Sequence, residues 1–380
     1  MPVCRHGPLI LVAHHPAGKG MAVQRSFIST GLSRLWAGVL TPVKGLQAAG
    51  VEVTLLYREQ VRMFTKQEVG ITAVRVSSNL LLQTLAFLKQ VLKRRPDHVE
   101  FYFHSGCWTA LRVQAWLCRF LRIPILCVCT GSELLDFERH SKKKAKCIRS
   151  VFAKASAVIL KELYMREVIR KNALIDERRT HLVSNRVHVG PEPDFGRRPP
   201  EVLFLNLFKR YRRIELIISA IPQLRAAIPD VRFKLVGMGR YPDYEAELLE
   251  LARQLKVDDC VEFLPFTQDA GNYFKSAAVF VLPCKIVFCN NALLEAMERG
   301  IPPVVSKVPG AERIVDDGVN GFCVAETAEG FAEGILALLS DEVMRQAFAR
   351  AARAKILERF DERQRTAELL ELYQSEVWLS

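Results

Sequence analysis

The segment between residues 283 and 321 contains the side chains and turns best suited to chemistry. A strand is predicted to end at Leu282, and a polar turn follows it and opens a helix that carries Glu295. After the next strand, a glycine turn around Gly310 is predicted to open another helix. The free amides at helix N-termini attract phosphate groups, and a carboxylate in the first turns of such a helix can hold a ribose diol. The segment therefore predicts a pocket for a nucleoside diphosphate.

Two further glycine-containing turns follow predicted strands. Gly18, Lys19 and Gly20 come after the first apolar run, and Gly237 and Gly239 come after a strand in the second half of the chain. Each turn would let a phosphate or a sugar approach the backbone closely. Such turns are common where any strand leads into a helix, so neither of them identifies a site by itself.

Short apolar runs alternate along the chain with segments of helical periodicity. In the first half the runs are residues 9–13, 51–57, 99–103, 123–129 and 157–160. After a loop rich in proline and glycine at residues 189–200, they resume at residues 202–207, 233–237, 261–264, 279–282 and 303–306. This alternation is typical of βαβ units with a parallel sheet buried on both faces. It predicts an α/β protein of two Rossmann-like, doubly wound domains, in which ligands bind at the carboxyl ends of the strands.

The composition excludes several classes of protein. The 380 residues are 49% apolar and 25% charged, which is ordinary for a globular protein and unlike disordered, collagenous or coiled-coil chains. No apolar run reaches the length of a membrane-spanning helix, and the run at residues 9–13 is predicted to be a buried strand, not a signal peptide. The ten cysteines show no CxxC pair and no zinc-ligand spacing, so we expect reduced thiols in a cytoplasmic protein.

The formal net charge of +13 comes from the first half of the chain. Residues 1–195 contain 30 Lys and Arg against 14 Asp and Glu, whereas residues 196–380 contain 24 against 27. Such asymmetry suggests a polyanionic partner, which could be anionic lipid, a phosphorylated acceptor or nucleic acid. The alternative is a solvated surface that serves solubility. No nucleic-acid recognition motif accompanies the charge, so nucleic acid is not expected as the partner.

Two amphipathic segments in the basic half are candidates for a membrane surface. Residues 80–95 are rich in leucine and end in three consecutive cations, and residues 108–122 mix Trp116, Leu117 and Phe120 with arginines. Helices of this composition can lie among lipid headgroups. The alternative, which we favour for the apolar stripes, is that both stripes pack on the parallel sheet. The surplus of cations still favours peripheral contact with anionic lipids of the inner leaflet.

The segment after Leu282 resembles the donor-site signature of the retaining family-4 glycosyltransferases, the glycosyl transferases group 1 superfamily with the GT-B fold. The family pattern has an E-A-M motif and a glycine, then a P-V-V strand and a G-x-x-E-I-V-x-D-G turn. The matching residues are Leu294, Glu295, Ala296, Met297, Gly300, Pro303, Val304, Val305, Ser306, Gly310, Glu312, Ile314, Val315, Asp317, Gly318 and Gly321. The likeness covers nearly all of residues 200–365 and, weakly, the N-terminal half.

The resemblance implies roles for residues at matching positions. Glu295 would bind the nucleotide ribose, the backbone amides of the preceding turn would hold the donor sugar and diphosphate, and residues 264–266 would pack against the base. The donor-binding residues expected in this way are Gly18, Lys19, Gly20, Lys209, Arg212, Gly237, Gly239, Leu264, Phe266, Phe288, Cys289, Asn290, Asn291 and Glu295. The family's H-G-x-D/E loop beside the sugar corresponds to the expected catalytic residues Thr130, Gly131 and Glu133.

Three departures from the family pattern bear on the donor. The first glutamate of the Glu-x7-Glu motif is Val287, the diphosphate arginine is Leu207, and the loop histidine is Thr130. Arg212 keeps a cation at the lysine position, so phosphate binding can survive. Val287 cannot accept hydrogen bonds from sugar hydroxyls, whereas the two asparagines that follow offer amides. We therefore expect an acetamido, deoxy or diamino sugar, although the asparagines could equally cap the helix.

The resemblance further implies transfer of a sugar, with retention at the anomeric carbon, from a nucleotide sugar that is expected to be UDP-linked. It implies a basic acceptor domain at residues 1–190, a nucleotide-sugar domain at residues 191–365, and a helix at residues 366–380 that returns to the first domain. A lipid-linked or lipopolysaccharide-type acceptor in bacterial cell-surface polysaccharide assembly is expected. No Asp-x-Asp signature ends a strand, so neither a metal nor another cofactor is expected.

Two alternatives stay open at this point. A nucleotide-sugar epimerase of the same fold would release a free sugar nucleotide without an acceptor. A non-catalytic scaffold subunit would bind a partner transferase or a membrane, in keeping with the family residues that are absent at Val287, Leu207 and Thr130. The expected location is cytoplasmic, with peripheral association at the inner face of the membrane as a further possibility.

Overall fold

The computed structural model describes residues 25–30, 43, 45–57, 72–75, 77, 79–103, 108–129, 134, 137–267, 270–287 and 289–374. These residues form two compact units. The first unit combines the described residues up to Asn185 with those from Glu362 onwards, and the second unit runs from Arg186 to Asp361. The chain therefore leaves the first unit and returns to it with its last helix.

The first unit is built on a parallel sheet whose described strands follow the order β3-β2-β1-β4-β5-β6-β7. Two of them, β5 and β6, are buried along their whole length, because helices cover both faces of such a sheet. The strands are β1 (Arg25–Thr30), β2 (Glu52–Tyr57), β3 (Thr72–Arg75), β4 (His98–Phe103), β5 (Ile125–Cys129), β6 (Ala157–Leu160) and β7 (Thr180–Leu182).

The second unit has a parallel sheet in the order β10-β9-β8-β11-β12-β13. Its strands are β8 (Glu201–Leu205), β9 (Arg232–Met238), β10 (Val261–Pro265), β11 (Val279–Leu282), β12 (Pro303–Ser306) and β13 (Phe322–Val324). In each unit the strand order reverses at the first strand, since β1 lies between β2 and β4 and β8 lies between β9 and β11. Ligands of doubly wound sheets bind beside the carboxyl ends of strands at this reversal.

The helices whose whole length lies within the described residues connect most of the parallel strands and pack on the two sheets. They are α1 (Leu80–Arg94), α2 (Trp108–Phe120), α3 (Lys142–Phe152), α4 (Tyr164–Lys171), α5 (Ile214–Ala227), α6 (Pro242–Gln254), α7 (Tyr273–Ser276), α8 (Asn291–Glu298), α9 (Ala328–Ser340), α10 (Glu342–Arg359) and α11 (Glu362–Gln374). Side-chain caps fix the N-termini of several helices: Asn79 Oδ1 accepts the Leu81 and Leu82 N–H groups of α1, and Ser141 Oγ accepts the Lys144 N–H of α3.

The structure revises several elements predicted from the sequence. The predicted first strand at residues 9–13 lies outside the described residues, and the strand that pairs with both β2 and β4 is β1. Strand β1 reads RSFIST, with too few apolar residues to stand out as an apolar run. Strands β3, β7 and β13 span only three or four residues, which is too short for a periodic pattern. The helix predicted after Gly310 is a single 3-10 turn, Ala311–Arg313.

The proline- and glycine-rich linker is held on the second unit by a buried ion pair. Arg353 of α10 donates to Glu298 Oε1 (2.7 Å) and to the carbonyl oxygens of Gly190 (2.7 Å) and Pro191 (3.1 Å). The same carboxylate oxygen of Glu298 accepts the Gly190 N–H (2.9 Å). Arg353 and Glu298 are 6% and 5% exposed. Because every charge here has partners, the linker is part of the folded second unit.

Three further observations concern the classes of protein considered above. Among the described residues, no helix is both long and apolar enough to span a membrane. The cysteines that the structure describes are free thiols, and all of them except the half-buried Cys323 are buried. Within the same described ranges, no group of three His, Cys, Asp or Glu side chains is arranged to hold a metal ion.

Candidate functional site

The loops that follow β8, β11 and β12 meet at one edge of the second sheet. Strand β8 pairs in parallel with β11, so residues after either strand reach the same edge. The Lys285 N–H donates to the Tyr211 carbonyl (3.1 Å), and the Val287 N–H donates to the Pro309 carbonyl (3.2 Å), so the β11–α8 loop is bonded to both of its neighbours. This edge carries the predicted donor-binding residues Lys209, Arg212, Cys289, Asn290, Asn291 and Glu295.

Arg212 is a buried cation with unused hydrogen-bonding capacity. It lies in the 3-10 turn that precedes α5, is 5% exposed, and places its guanidinium over the Tyr211 ring (5.0 Å to the centroid) and beside the Cys284 thiol. Its Nε and Nη1 atoms have no hydrogen-bond partner in the described part of the chain. A buried guanidinium without acceptors is costly, so this position is suited to receive an anion.

Cys284 does not supply the charge that Arg212 lacks. Burial raises the pKa of the Cys284 thiol to about 11, and the neighbouring Arg212 opposes this rise only in part. The thiol is therefore uncharged at neutral pH. The positive charge of Arg212 remains without a thiolate to balance it.

Three other cations of the β8–α5 loop differ in their contacts, and one of them, Arg213, is paired with Glu215, with Nε 2.7 Å from Oε1. The Lys209 ammonium is half-buried and lies 5.7 Å and 5.9 Å from the ring centroids of Tyr211 and Tyr241. Arg210 is exposed and forms a two-pronged ion pair with Glu247 of α6, with Nη1 2.8 Å from Oε2. Arg210 is thus already paired, which leaves Lys209 and Arg212 as the cations available for a phosphate from this loop.

The N-terminus of α8 follows directly on the β11–α8 loop. Asn290 is its N-cap, because the Asn290 Oδ1 accepts the Leu293 N–H (3.1 Å). Asn291 begins the helix, and its Oδ1 is buried without a partner among the described residues. Cys289 has a φ of 21°, which turns the chain sharply into the helix. The arrangement presents helix-start amides and an unused side-chain acceptor at this edge.

Glu295 lies on the second turn of α8 with a free acceptor group. Its carboxylate accepts no hydrogen bond from any other described residue. Burial raises the pKa of Glu295; the nearby Arg299 guanidinium lowers it, and Glu298 raises it further. A carboxylate oxygen offers two lone pairs, which suits it to a pair of neighbouring hydroxyl groups.

The glycine turn after β9 already holds an acceptor of its own. A side chain at Gly237, whose φ is 150°, would collide with the Asn206 carbonyl of the β8 loop. Glu245 of α6 is 7% exposed, and its Oε1 accepts the N–H groups of Gly239, Arg240 and Tyr241 at 2.9, 3.0 and 2.9 Å. The Gly239 amide is therefore engaged by the protein. Both glycines shape the sheet edge through their positive φ angles, and the close approach of a phosphate to this turn stays a prediction.

Leu264 and Phe266 lie at the carboxyl end of β10. Leu264 is half-buried, whereas Phe266 is 42% exposed, and the Arg240 guanidinium lies 5.7 Å from its ring centroid. The Phe266 N–H donates to the Met238 carbonyl (2.9 Å), which fixes the ring next to the β9 turn. An exposed ring face at this edge can stack with a planar base.

The remaining predicted site residues lie outside the described residues. They are Gly18, Lys19, Gly20, Thr130, Gly131, Glu133 and Phe288. The three residues at 18–20 precede β1 in the chain. Sequence reasoning missed Glu245, whose only signal is an acidic residue in the first turn of the helix after the glycine turn.

Comparison with known proteins identifies the segment that carries this edge. Residues 199–341 match the family model described as Glycosyl transferases group 1, which confirms the resemblance for that segment. The chain is 28% identical over 177 residues to the lipopolysaccharide core biosynthesis glycosyltransferase LpsE of Rhizobium meliloti, covering 46% of this chain and 50% of that protein. It is 27% identical over 179 residues to a phosphatidyl-myo-inositol mannosyltransferase of Mycolicibacterium smegmatis, covering 46% and 45%. The chain thus spans half or less of the length of these curated relatives.

Likeness to solved structures extends over almost the whole chain. A crystal structure of Anabaena HepE in complex with UDP and glucose aligns with a TM-score of 0.79 at 18% identity, covering 92% of this chain and 99% of that one. At this identity the likeness concerns the fold. The prediction of a GT-B fold, with two Rossmann-like units on parallel sheets, is confirmed.

Proposed function

We propose that this chain, with a group 1 glycosyltransferase segment on a GT-B fold, is a glycosyltransferase that takes its sugar from a nucleotide-sugar donor. The donor is UDP-linked in this proposal, which is supported by the UDP that Anabaena HepE binds in its crystal structure. The diphosphate binds at the edge formed by the β8–α5 and β11–α8 loops, the ribose binds at Glu295, and the base stacks on Phe266.

The observation that carries the proposal is the guanidinium of Arg212, two of whose nitrogens have no hydrogen-bond partner among the described residues. A buried arginine normally has carboxylates or carbonyls around it, as Arg353 has in the same unit. Arg212 instead keeps Nε and Nη1 without partners among the described residues, next to the loop that opens α8. A diphosphate supplies the missing acceptors and the balancing charge, and charge-assisted hydrogen bonds of this kind are roughly twice as strong as neutral ones.

The residues at this edge have separate tasks in the proposed reaction. Arg212, Lys209 and the first amides of α8 stabilise the negative charge that grows on the diphosphate as the anomeric carbon–oxygen bond breaks. The acceptor hydroxyl attacks the same face of the sugar, so its oxygen forms the new bond and the configuration is retained. The departing diphosphate takes the proton of that hydroxyl. No protein nucleophile is needed for this sequence of events.

The donor sugar and the acceptor are inferred from different features. Val287 is fully buried in the core at the position where the family has its first glutamate, so sugar hydroxyls lose that acceptor. Asn291 offers an unused amide oxygen nearby in the chain, which supports an acetamido, deoxy or diamino sugar. Similarity to a lipopolysaccharide core biosynthesis glycosyltransferase and to a phosphatidyl-myo-inositol mannosyltransferase supports a lipid-linked or lipopolysaccharide-type acceptor.

Thermal unfolding with UDP, GDP, ADP and TDP tests the donor site. A ligand at about 100 times its Kd stabilises the folded protein by about 2.7 kcal/mol. We expect UDP to give the largest rise in Tm, and we expect Arg212→Met to reduce that rise by about half or more, while Arg210→Met, two residues away and already paired with Glu247, keeps it. A protein whose Tm does not respond to any diphosphate would contradict the proposed donor site and would favour the non-catalytic scaffold.

Turnover assays then separate transfer from the alternative chemistry. We expect UDP release from UDP-linked acetamido sugars only when a lipid-linked saccharide acceptor is present, with a weaker rate for UDP-glucose. Interconversion of free UDP-sugars without an acceptor would instead identify an epimerase. Preference for plain glucose or mannose donors would contradict the assignment of the sugar while leaving the diphosphate site intact.

A further inference from the structure

Three neighbouring helices of the first unit carry an unbalanced positive charge. Helix α2 packs beside both α1 and α3. Together these helices contain ten Lys and Arg residues and not one Asp or Glu. Surface helices of globular proteins usually mix both signs of charge. A layer without any acidic residue therefore indicates a polyanionic partner on this side of the unit.

The same helices expose an unusual amount of apolar surface. Their inner faces pack as expected, because Phe87 and Val91 of α1 and Leu111 of α2 are buried. The outer faces of these helices are apolar as well. The expected packing of the apolar stripes on the sheet is therefore seen only on the inner faces. The exposed apolar side chains are Leu80, Leu81, Leu82, Leu85 and Leu92 of α1 and Trp116 and Phe120 of α2. Contiguous exposed apolar residues mark a binding surface.

Cations and apolar residues alternate along each outer face. On α1, Lys89 follows Leu85 by one turn and precedes Leu92 by one turn, so the three side chains lie in one row. On α2, Trp116 and Phe120 are 57% and 72% exposed and stack with their ring centroids 5.7 Å apart. Arg112 lies one turn before Trp116, and Arg119 lies between the two rings in the chain. Helix α3 adds the exposed lysines Lys142, Lys143 and Lys146.

We propose that this α1–α3 surface, made of the exposed leucines, Trp116, Phe120 and the surrounding cations, docks on a bilayer that contains anionic phospholipid. The leucines and aromatic rings enter the boundary between headgroups and acyl chains, and the lysines and arginines contact lipid phosphates. Tryptophan is enriched at this depth of a bilayer because its ring is apolar and its N–H is polar. The inference stands apart from the proposed donor site, which lies in the other unit.

The charge and the exposed apolar area of the α1–α3 surface together favour an anionic bilayer over other partners. A second copy of the chain would bring the same cations against each other, which is repulsive. A nucleic acid or an acidic protein would match the cations, but it would leave the row of exposed leucines on α1 without an apolar environment. An anionic bilayer satisfies both features, since phosphates lie directly above an apolar layer.

Vesicle sedimentation tests the proposal on the full chain. We expect binding to phosphatidylcholine vesicles that contain phosphatidylglycerol and little binding to pure phosphatidylcholine. Each cation near an anionic surface contributes about 1 kcal/mol, or about fivefold in affinity, so Lys142→Gln/Lys143→Gln/Lys146→Gln should weaken binding by about 100-fold. Trp116→Ser/Phe120→Ser should weaken it by at least about tenfold through lost apolar burial. The matched controls in the other unit, the exposed residues Val343→Ser and Lys275→Gln, should bind as the unaltered chain does.

Quenching by brominated lipid reports which side chain is immersed. We expect anionic vesicles with brominated acyl chains to quench tryptophan emission, and we expect Trp116→Phe to remove most of this quenching while binding persists. Vesicle binding that neither surface variant weakens would overturn the proposal, as would an absence of binding. Binding to heparin or to anionic vesicles that depends on the lysines but not on Trp116 and Phe120 would also overturn it and would indicate a polyanion site instead.

Discussion

Two buried arginines of the second unit show how a structural cation differs from one that is available to bind a ligand. Arg353, beneath the linker, has its guanidinium bonded to Glu298 and to the carbonyls of Gly190 and Pro191. Arg212, after β8, is just as buried but keeps two nitrogens without partners among the described residues. The first region uses its charge to hold the chain together. The second leaves its charge unbalanced at the edge where doubly wound sheets bind ligands.

The largest effect is expected at the satisfied arginine. Arg353→Met leaves the buried Glu298 carboxylate without its cation, and breaking such a pair costs about 3–5 kcal/mol. We expect chemical denaturation to show a loss of unfolding free energy of this size. Arg350→Met is the matched control on the same helix, because Arg350 is exposed and, within the described ranges, its guanidinium contacts only the Phe195 ring, at 5.3 Å from the centroid. Equally small losses of unfolding free energy in both variants would contradict the structural role of Arg353.

The opposite pattern is expected at Arg212. Hydrogen bonds to charged groups contribute about 1.5–3 kcal/mol, so Arg212→Met should weaken UDP binding about 10- to 100-fold in calorimetric titrations. The Tm of the unliganded variant should stay the same or rise, since a buried cation without acceptors is removed. Arg210→Met serves as the control for the loop. A large fall in the Tm of Arg212→Met without UDP would show that the residue is structural, as Arg353 is.

A third expected effect concerns the turn after β9, which resembles an anion site that is already filled. Glu245 accepts three backbone N–H groups, so Glu245→Gln weakens charge-assisted bonds and should lower the unfolding free energy by about 1–2 kcal/mol. UDP affinity should change less than in Arg212→Met, because these amides do not face the ligand in our account. A loss of UDP binding larger than that of Arg212→Met would place the diphosphate at the β9 turn instead.

The smallest effect is a pH dependence at Glu295. Burial raises its pKa in the folded protein above the ordinary value, so the folded state binds its proton more tightly than the unfolded chain does. The stability that this carboxyl group contributes is therefore present below the ordinary glutamate pKa and is lost as the pH rises through the raised one. We expect Glu295→Gln to raise the Tm at neutral pH and to lose that advantage towards acid pH. A difference in Tm that does not vary with pH would contradict this.

The contrast between the two arginines also shows what the sequence can and cannot reveal. The strand that ends at Leu282 and the start of the next helix at Asn291 follow from an apolar run and a polar turn, and both are found as predicted. Strand β1 escaped prediction because its six residues contain only two apolar side chains, Phe27 and Ile28.

The candidate site, like the fold, can be predicted from the sequence only in part. Glu295 and Arg212 were selected because they match family positions in the sequence. Whether an arginine is paired depends on residues that are distant in the chain, as the Arg353 bonds to Gly190 and Pro191 illustrate. For that reason neither the burial of Arg212 nor the capture of the Gly239 amide by Glu245 could be predicted from local pattern.

The most direct test of the central claim is a crystal structure of the protein with UDP bound. We expect the diphosphate within hydrogen-bond distance of the Arg212 guanidinium and the first amides of α8, with the ribose hydroxyls on Glu295. A diphosphate that lies elsewhere on the second unit, while Arg212 still lacks an acceptor, would contradict it.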